Sequence, residues 1–274
     1  MNTTALINFE HCSLLINYAP TMRSYFYTLT ERGELFHGDV AIEDERFRDM
    51  FFANLQPNNT GQYPDYPFCS PCGVEMNYVR PVDTPYVFER LDGERLFYSP
   101  SMSVPFDIEA LAFDDGVLYH RAPHQQWGRV SASVVVGLVT TIEPWGEWYE
   151  ITWHGNRSVI PPRIIPEHLR LLRPRRGNWC AGCGRDNPVS LQLSALYNCR
   201  GRTAESWLTI PQHTSGSLGI MHGGFVAFLL DEIMGKVLSG MDIKAPTRRL
   251  EVEYIRPVLI DSRVYLSAHH CSSK

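Results

Sequence analysis

The chain has 274 residues, a formal net charge of −5, 44% hydrophobic and 20% charged residues. That length suits two domains or one large one, and that balance suits a folded globular chain rather than a disordered one. Mild, mixed charge leaves no footprint for nucleic acid, and no apolar run approaches the roughly 20 residues of a membrane span.

Residues 1–22 read as a loose leader. Leu14, Leu15 and Ile16 form a short apolar patch preceded by Glu10 and His11 instead of basic residues, which argues against secretion. Arg23 is the single arginine before Tyr25, so a mitochondrial presequence is poorly supported and the location stands open between mitochondrion and cytoplasm. Seven cysteines, four of them in two Cys-x-x-Cys pairs, fit a reducing compartment better than a secreted disulfide framework.

Tyr25, Tyr27 and Leu29 alternate, Glu31-Arg32-Gly33 turns, and Leu35 and Phe36 return, which predicts a hairpin. Phe47, Met50, Phe51 and Leu55 fall at helical spacing behind an acidic first turn, which predicts an amphipathic helix. Strands are predicted at 76–79, 86–89, 95–98, 117–120 and 147–153. The β-branched run 130–142 reads as a long central strand, and 166–172, with proline near its start, as a short helix. The basic, Pro- and Gly-containing stretch 173–179 reads as a linker. Beyond it, strands are predicted at 191–196, 203–210, 249–255 and 263–268.

Between them, residues 219–240 hold a glycine turn and then a helix that is apolar at nearly every angle, the pattern of a wrapped core helix. Asp231 and Glu232 lie in its middle. A buried carboxylate without a partner is costly, so such an acid is paired, faces a cleft or does chemistry. Residue pattern alone leaves open which of these Asp231 does, while Glu232 reads as a solvent-edge residue more than a second catalyst. Gly223 and Gly224 let a ligand approach the backbone, and amides at a helix N-terminus favour a developing oxyanion.

Cys180, Cys183-Gly184, Asn187-Pro188, Leu191, the His222-Gly223-Gly224 turn, Leu230-Asp231-Glu232 and the YIRPV run at 254–258 resemble the acyl-CoA thioesterases of the phenylacetic-acid-degradation type. The resemblance covers about a third of the chain. It implies a hotdog fold, an antiparallel sheet around a central helix. It implies Asp231 as general base or nucleophile, Gly223 and Gly224 as the oxyanion site, His222 shaping the turn and Thr247 holding the attacking water. It also implies a homodimer or tetramer sharing its sites. The substrate would be an acyl-CoA or similar thioester, with coenzyme A as part of the substrate and no separate cofactor. Arg248 and Arg256, with Arg175 and Arg176, are candidates for its phosphates. Such a hotdog needs a further long strand after Ala268, beside strand 203–210, so the expectation is an incomplete hotdog.

Residues 24–170 resemble the uncharacterised protein family 0598 through Tyr25-Phe-Tyr27, Gly33-Glu-Leu-Phe36, Ser70-Pro-Cys-Gly73 and Tyr86-Val-Phe88. That resemblance implies an α+β domain, nudges location toward mitochondria and supplies no reaction. The pairs Cys69/Cys72 and Cys180/Cys183 have the shape of zinc knuckles that could join in one four-cysteine site, but each also belongs to a pattern that does not require zinc, so no metal is expected. Cys72 with His120 or His124 is a further catalytic pairing to examine. The chain is thus expected to be α+β: a domain at 23–172, a linker at 173–179 and an incomplete hotdog at 180–274. Two functions follow: a thioester hydrolase, or a non-catalytic dimerisation or acyl-CoA-binding protein whose main role lies in the N-terminal domain.

Overall fold

A computed structural model describes residues 22–271; the leader expected at 1–22 lies, but for its last residue, outside them. The described chain is mixed α+β, mostly sheet with few helices. Its contacts group into two compact units. One holds the chain up to Thr30 with Glu34–Val82 and Ser99–Met102; the other holds Glu31–Gly33, Asp83–Tyr98 and everything from Ser103.

The first unit is a six-stranded sheet with one helix. Strands β1 (Arg23–Leu29), β2 (Leu35–His37), β3 (Val40–Ala41), β4 (Gln56–Pro57), β5 (Phe68–Cys72) and β6 (Glu75–Pro81) take the order β3-β2-β1-β6-β5-β4. The predicted hairpin forms as the antiparallel β1–β2 pair, and β1 runs parallel to β6. The predicted helix is α1 (Glu45–Ala53), started by Asp44, whose Oδ1 accepts from Phe47 N at 2.7 Å. That bond satisfies one of the amide donors a helix start leaves open. Phe51 and Phe52 are buried, and the Phe51 ring meets Tyr27 of β1 at 5.4 Å.

The second unit opens with three small sheets. One comprises β7 (Tyr86–Phe88), β11 (Leu111–Asp114), β12 (Val117–Arg121) and β13 (Trp127–Val130); another β8 (Arg90–Asp92), β9 (Arg95–Phe97) and β10 (Ser103–Pro105). The third comprises β14 (Ile142–Trp145), β15 (Trp148–Trp153) and β16 (Asn156–Ile160). The run expected to be one long strand is instead the end of β13, the helix α2 (Ala132–Leu138) and a short turn into β14. Only Val134 and Leu138 of α2 are buried, four residues apart, while Val136 is exposed, so one helical face satisfies the core and β-propensity yields to it.

A fourth sheet carries β17 (Leu169–Leu172), β18 (Ala195–Asn198), β19 (Thr203–Thr209) and β20 (Arg263–His269) in that order, all antiparallel. β17 replaces the helix expected at 166–172; Pro166 closes a turn with Leu169 and the chain then pairs with β18. The expected linker is packed: Arg173 donates to the Val159 carbonyl at 2.9 Å, and the stretch lies inside the second unit. β20 takes the place beside β19 that the incomplete-hotdog expectation left vacant. Residues 249–255 alternate as a strand would but pair with none among the described residues, since alternation alone does not supply a neighbouring ladder. Helix α3 (Gly223–Gly240) lies against this sheet, burying Leu229, Ile233 and Val237 among Tyr197, Leu208 and Leu266. The approach is close: a Cβ on Gly240 would sit 2.2 Å from the Tyr197 ring.

This packing makes two stability predictions. Gly240→Ala should destabilise the fold by about 1–3 kcal/mol, because Tyr197 is buried and cannot swing away. Gly137→Ala, in α2 with open space around it, should instead raise stability by about 0.5–1 kcal/mol, read by denaturant midpoints. A pH dependence comes from His120, whose Nε2 accepts from Asp107 N at 3.0 Å and whose Nδ1 meets the Arg121 carbonyl at 2.7 Å. Burial holds this imidazole below its ordinary 6.5. Below that pH the unfolded chain binds a proton that the folded chain refuses. Stability should therefore fall as pH drops from 6.5 toward the folded value and stay flat above it. His120→Gln should remove that slope in unfolding midpoints measured across the window.

Candidate functional site

The helix start is built by His222. It takes the N-cap position in extended backbone, and its Nδ1 accepts from Gly224 N at 2.9 Å. Its carbonyl accepts from Phe225 N and Val226 N at 2.8 and 3.1 Å. One of the two amides expected to serve an oxyanion, that of Gly224, is therefore already donated. The Gly223 amide makes no hydrogen bond among the described residues. Glycine at 223 is not demanded by packing: a Cβ there would meet only the Tyr254 ring, at 3.6 Å. Its absence leaves room above the helix start. Tyr254 donates to the Gly223 carbonyl at 3.0 Å. A cavity of about 240 Å³ adjoins Gly223, Val226, Tyr254 and Arg256.

The buried stripe of α3 is Leu229, Ile233, Lys236, Val237 and Gly240. At about 100° per residue, Asp231 lies opposite that stripe, beside exposed Met234 and Gly235. The helix is thus covered by its own chain on one side only, where the sequence suggested wrapping on most. Thr247 donates to Asp231 Oδ1 at 2.5 Å, bringing together two residues singled out in the sequence. Arg248 is exposed and does not join them through any contact described; Arg256 lies at the cavity beside Gly223.

Glu232 points elsewhere. Its side chain is 14% exposed, with Oε1 at 3.4 Å from the ammonium of Lys236, itself 7% exposed. Its Oε2 accepts from Cys180 Sγ at 3.7 Å. The solvent-edge reading of Glu232 is thereby corrected: the Cys180–Cys183 turn covers it. Burial pushes the Cys183 thiol up to about 12, with nearby Lys236 opposing and Glu232 adding to the rise. Lys236 was not singled out in the sequence, although its spacing four residues after Glu232 is that of a helical ion pair. Tyr254 was recognised only as part of a motif; nothing in the sequence placed it on the helix start.

The other cysteine pair lies in β5 of the first unit, where Cys69 is buried and Cys72 approaches Ser70 Oγ at 3.5 Å. His120 is buried in the second unit with both ring nitrogens engaged, a core histidine instead of a base. His124 stands exposed on a turn at φ +56°. No helix among the described residues is long and apolar enough to cross a membrane.

Residues 218–270 match the family model of the thioesterase superfamily, and residues 16–147 match that of a domain of unknown function (DUF4505). Among solved structures, a thioesterase superfamily protein shares 22% identity over 35% of this chain and 47% of its own, less than half its length, at TM-score 0.33. A DUF1285 family protein from Shewanella baltica shares 17% over 42% and 91%, at 0.32. Another from Silicibacter pomeroyi shares 15% over 51% and 80%, at 0.35. Likenesses of this extent carry no argument about architecture or activity.

The cap makes its own prediction. His222→Ala should cost about 1 kcal/mol through loss of the Gly224 bond, and His222→Asn should recover most of it, measured as unfolding free energies. Equal losses in both variants would assign His222 a role other than capping.

Proposed function

We propose that the chain is a thioester hydrolase of the hotdog type acting on an acyl-CoA or a similar thioester. The observation that carries this reading is the Asp231–Thr247 hydrogen bond on the side of α3 that its own sheet leaves uncovered. Asp231 takes a proton from a water whose oxygen bonds the acyl carbon, or its carboxylate attacks that carbon to give an anhydride that water then cleaves. Either way the C–S bond breaks and the thiolate leaves, taking up a proton, while Thr247 orients the carboxylate. The Gly223 amide, at the positive end of the α3 dipole, receives the developing oxyanion. Arg256, which lines the adjoining cavity, would take a phosphate of the leaving group.

Geometry adds a requirement. Gly223 and Asp231 are eight residues apart on one helix, about 12 Å along its axis. They cannot address the same carbonyl, so a working site pairs Asp231 of one chain with the helix start of a second. A dimer or tetramer is part of this proposal. The exposed Met234, Leu250, Tyr254 and Ile255 supply apolar surface for it.

A second reading, acyl-CoA binding without turnover, is favoured by the donation of the Gly224 amide to His222, which leaves one oxyanion donor where two were expected. The test is hydrolysis of a panel of acyl-CoA esters. Asp231→Asn should lower kcat by roughly 10²–10⁴-fold with its oligomeric state unchanged. Binding of the ester by wild type with only background hydrolysis would establish the second reading. A fully active monomer would overturn the shared site.

A further inference from the structure

The Cys180–Cys183 turn and the side chains beneath it form a cluster that the hydrolase reading does not use. Cys180 Sγ, Cys183 Sγ and a Glu232 carboxylate oxygen all lie within 4.8 Å of one another. We propose that these three residues bind a thiophilic divalent cation, zinc being the best fit, and that the cation fastens the 178–186 loop to the middle of α3.

The turn is already shaped to present sulfur. Gly184 N donates to the Cys180 carbonyl at 2.8 Å, and Gly182 N donates to Cys180 Sγ at 3.4 Å, a bond that favours a thiolate there. Asn178 Oδ1 accepts from Cys180 N at 3.0 Å, and Leu191 N and Leu193 N bond the Ala181 and Gly182 carbonyls at 2.9 Å each. Gly184 is required by close approach of backbone, and a side chain at 182 would displace the Glu232 carboxylate. A Cβ on Gly182 would fall 2.3 Å from Glu232 Oε2, and one on Gly184 would fall 2.5 Å from backbone atoms of residues 178 and 180. Glycine at 182 is what lets the carboxylate reach the turn.

Spacing and charge agree with a cation. In a tetrahedral site with Zn–S of about 2.3 Å and Zn–O of about 2.0 Å, sulfur and oxygen ligands stand about 3.5 Å apart. Cys180 Sγ and Glu232 Oε2 stand 3.7 Å apart. Two thiolates, the carboxylate, the Lys236 ammonium and a divalent cation sum to zero. Lys236 holds the other carboxylate oxygen at 3.4 Å, as an outer partner that orients a ligand does. A cavity of about 460 Å³ adjoins Cys183, Glu232 and Lys236, so water can take the fourth position. Each thiol gives its proton to solvent as its sulfur binds, so loading releases protons. Cys69 and Cys72 are not needed; from the sequence no metal is expected, and zinc comes into question only in a site of all four cysteines.

The test uses the full chain, stripped of metal under reductant and titrated with Co²⁺ and then Zn²⁺. Wild type should develop a sulfur-to-cobalt charge-transfer band saturating at one equivalent and displaced by zinc. Cys72→Ser should keep it; Cys180→Ser and Cys183→Ser should lose it, and Glu232→Gln should weaken it. On the unaltered protein, zinc should also protect Cys180 and Cys183, but not Cys72, from iodoacetamide in peptide mapping, which keeps the proposal decidable if a cysteine variant fails to fold. No band and no protection in wild type would overturn it. So would a band indifferent to Cys180 and Cys183, or protection extending to Cys72. None of these readouts depends on thioester hydrolysis, so each proposal stands or falls by itself.

Discussion

The close approach of α3 to its sheet governs the arrangement around it. Gly240 admits the Tyr197 ring where any side chain would collide, and the stripe from Leu229 to Val237 settles onto β18, β19 and β20. Each fully buried aliphatic side chain of that stripe contributes about 1.5–3 kcal/mol, enough to hold the rotation of the helix about its axis. Once that rotation is held, the polar residues have no freedom of placement. Asp231 is turned away from the sheet toward Thr247, and Glu232 is turned toward the cysteine loop. Two adjacent acids thus receive unlike surroundings from one packing decision.

Lys236 shows the same constraint from its costly side. An ammonium 7% exposed, on the buried stripe of a core helix, is tolerated because Glu232 stands one turn earlier. Removing either partner would leave the other buried and unpaired, at about 3–5 kcal/mol. The cysteine loop closes over this pair, so the loop, the ion pair and the helix form one connected polar island beside an apolar core.

Much of this was legible from residue spacing, and the remainder failed for identifiable reasons. The β1–β2 hairpin and α1 could be read because alternation and helical spacing there agree with local turn and cap residues. The run 130–142 misled because its valines suit a strand by propensity, whereas only Val134 and Leu138 meet the core. Residues 249–255 alternate correctly, yet pairing is a property of neighbours that one segment cannot encode. At the site, the spacing of His222, Asp231 and Thr247 was readable from motif; the covering of Glu232 was not, because its partners lie 52 and 4 residues away and only the first contact requires the fold.

The indole of Trp145 has a broader consequence. It is 1% exposed and donates to the Trp207 carbonyl at 3.0 Å, with its ring 5.1 Å from that of Trp207 and Gly146 turning tightly against the same ring. Trp145 lies within the stretch matching the domain of unknown function, and Trp207 belongs to the strand that leads into α3. The end of the stretch matching the domain of unknown function therefore forms a seam with β19 inside the second unit. With Trp148 only 6.2 Å away, that seam carries its own fluorophores, and its opening can be followed optically without any label.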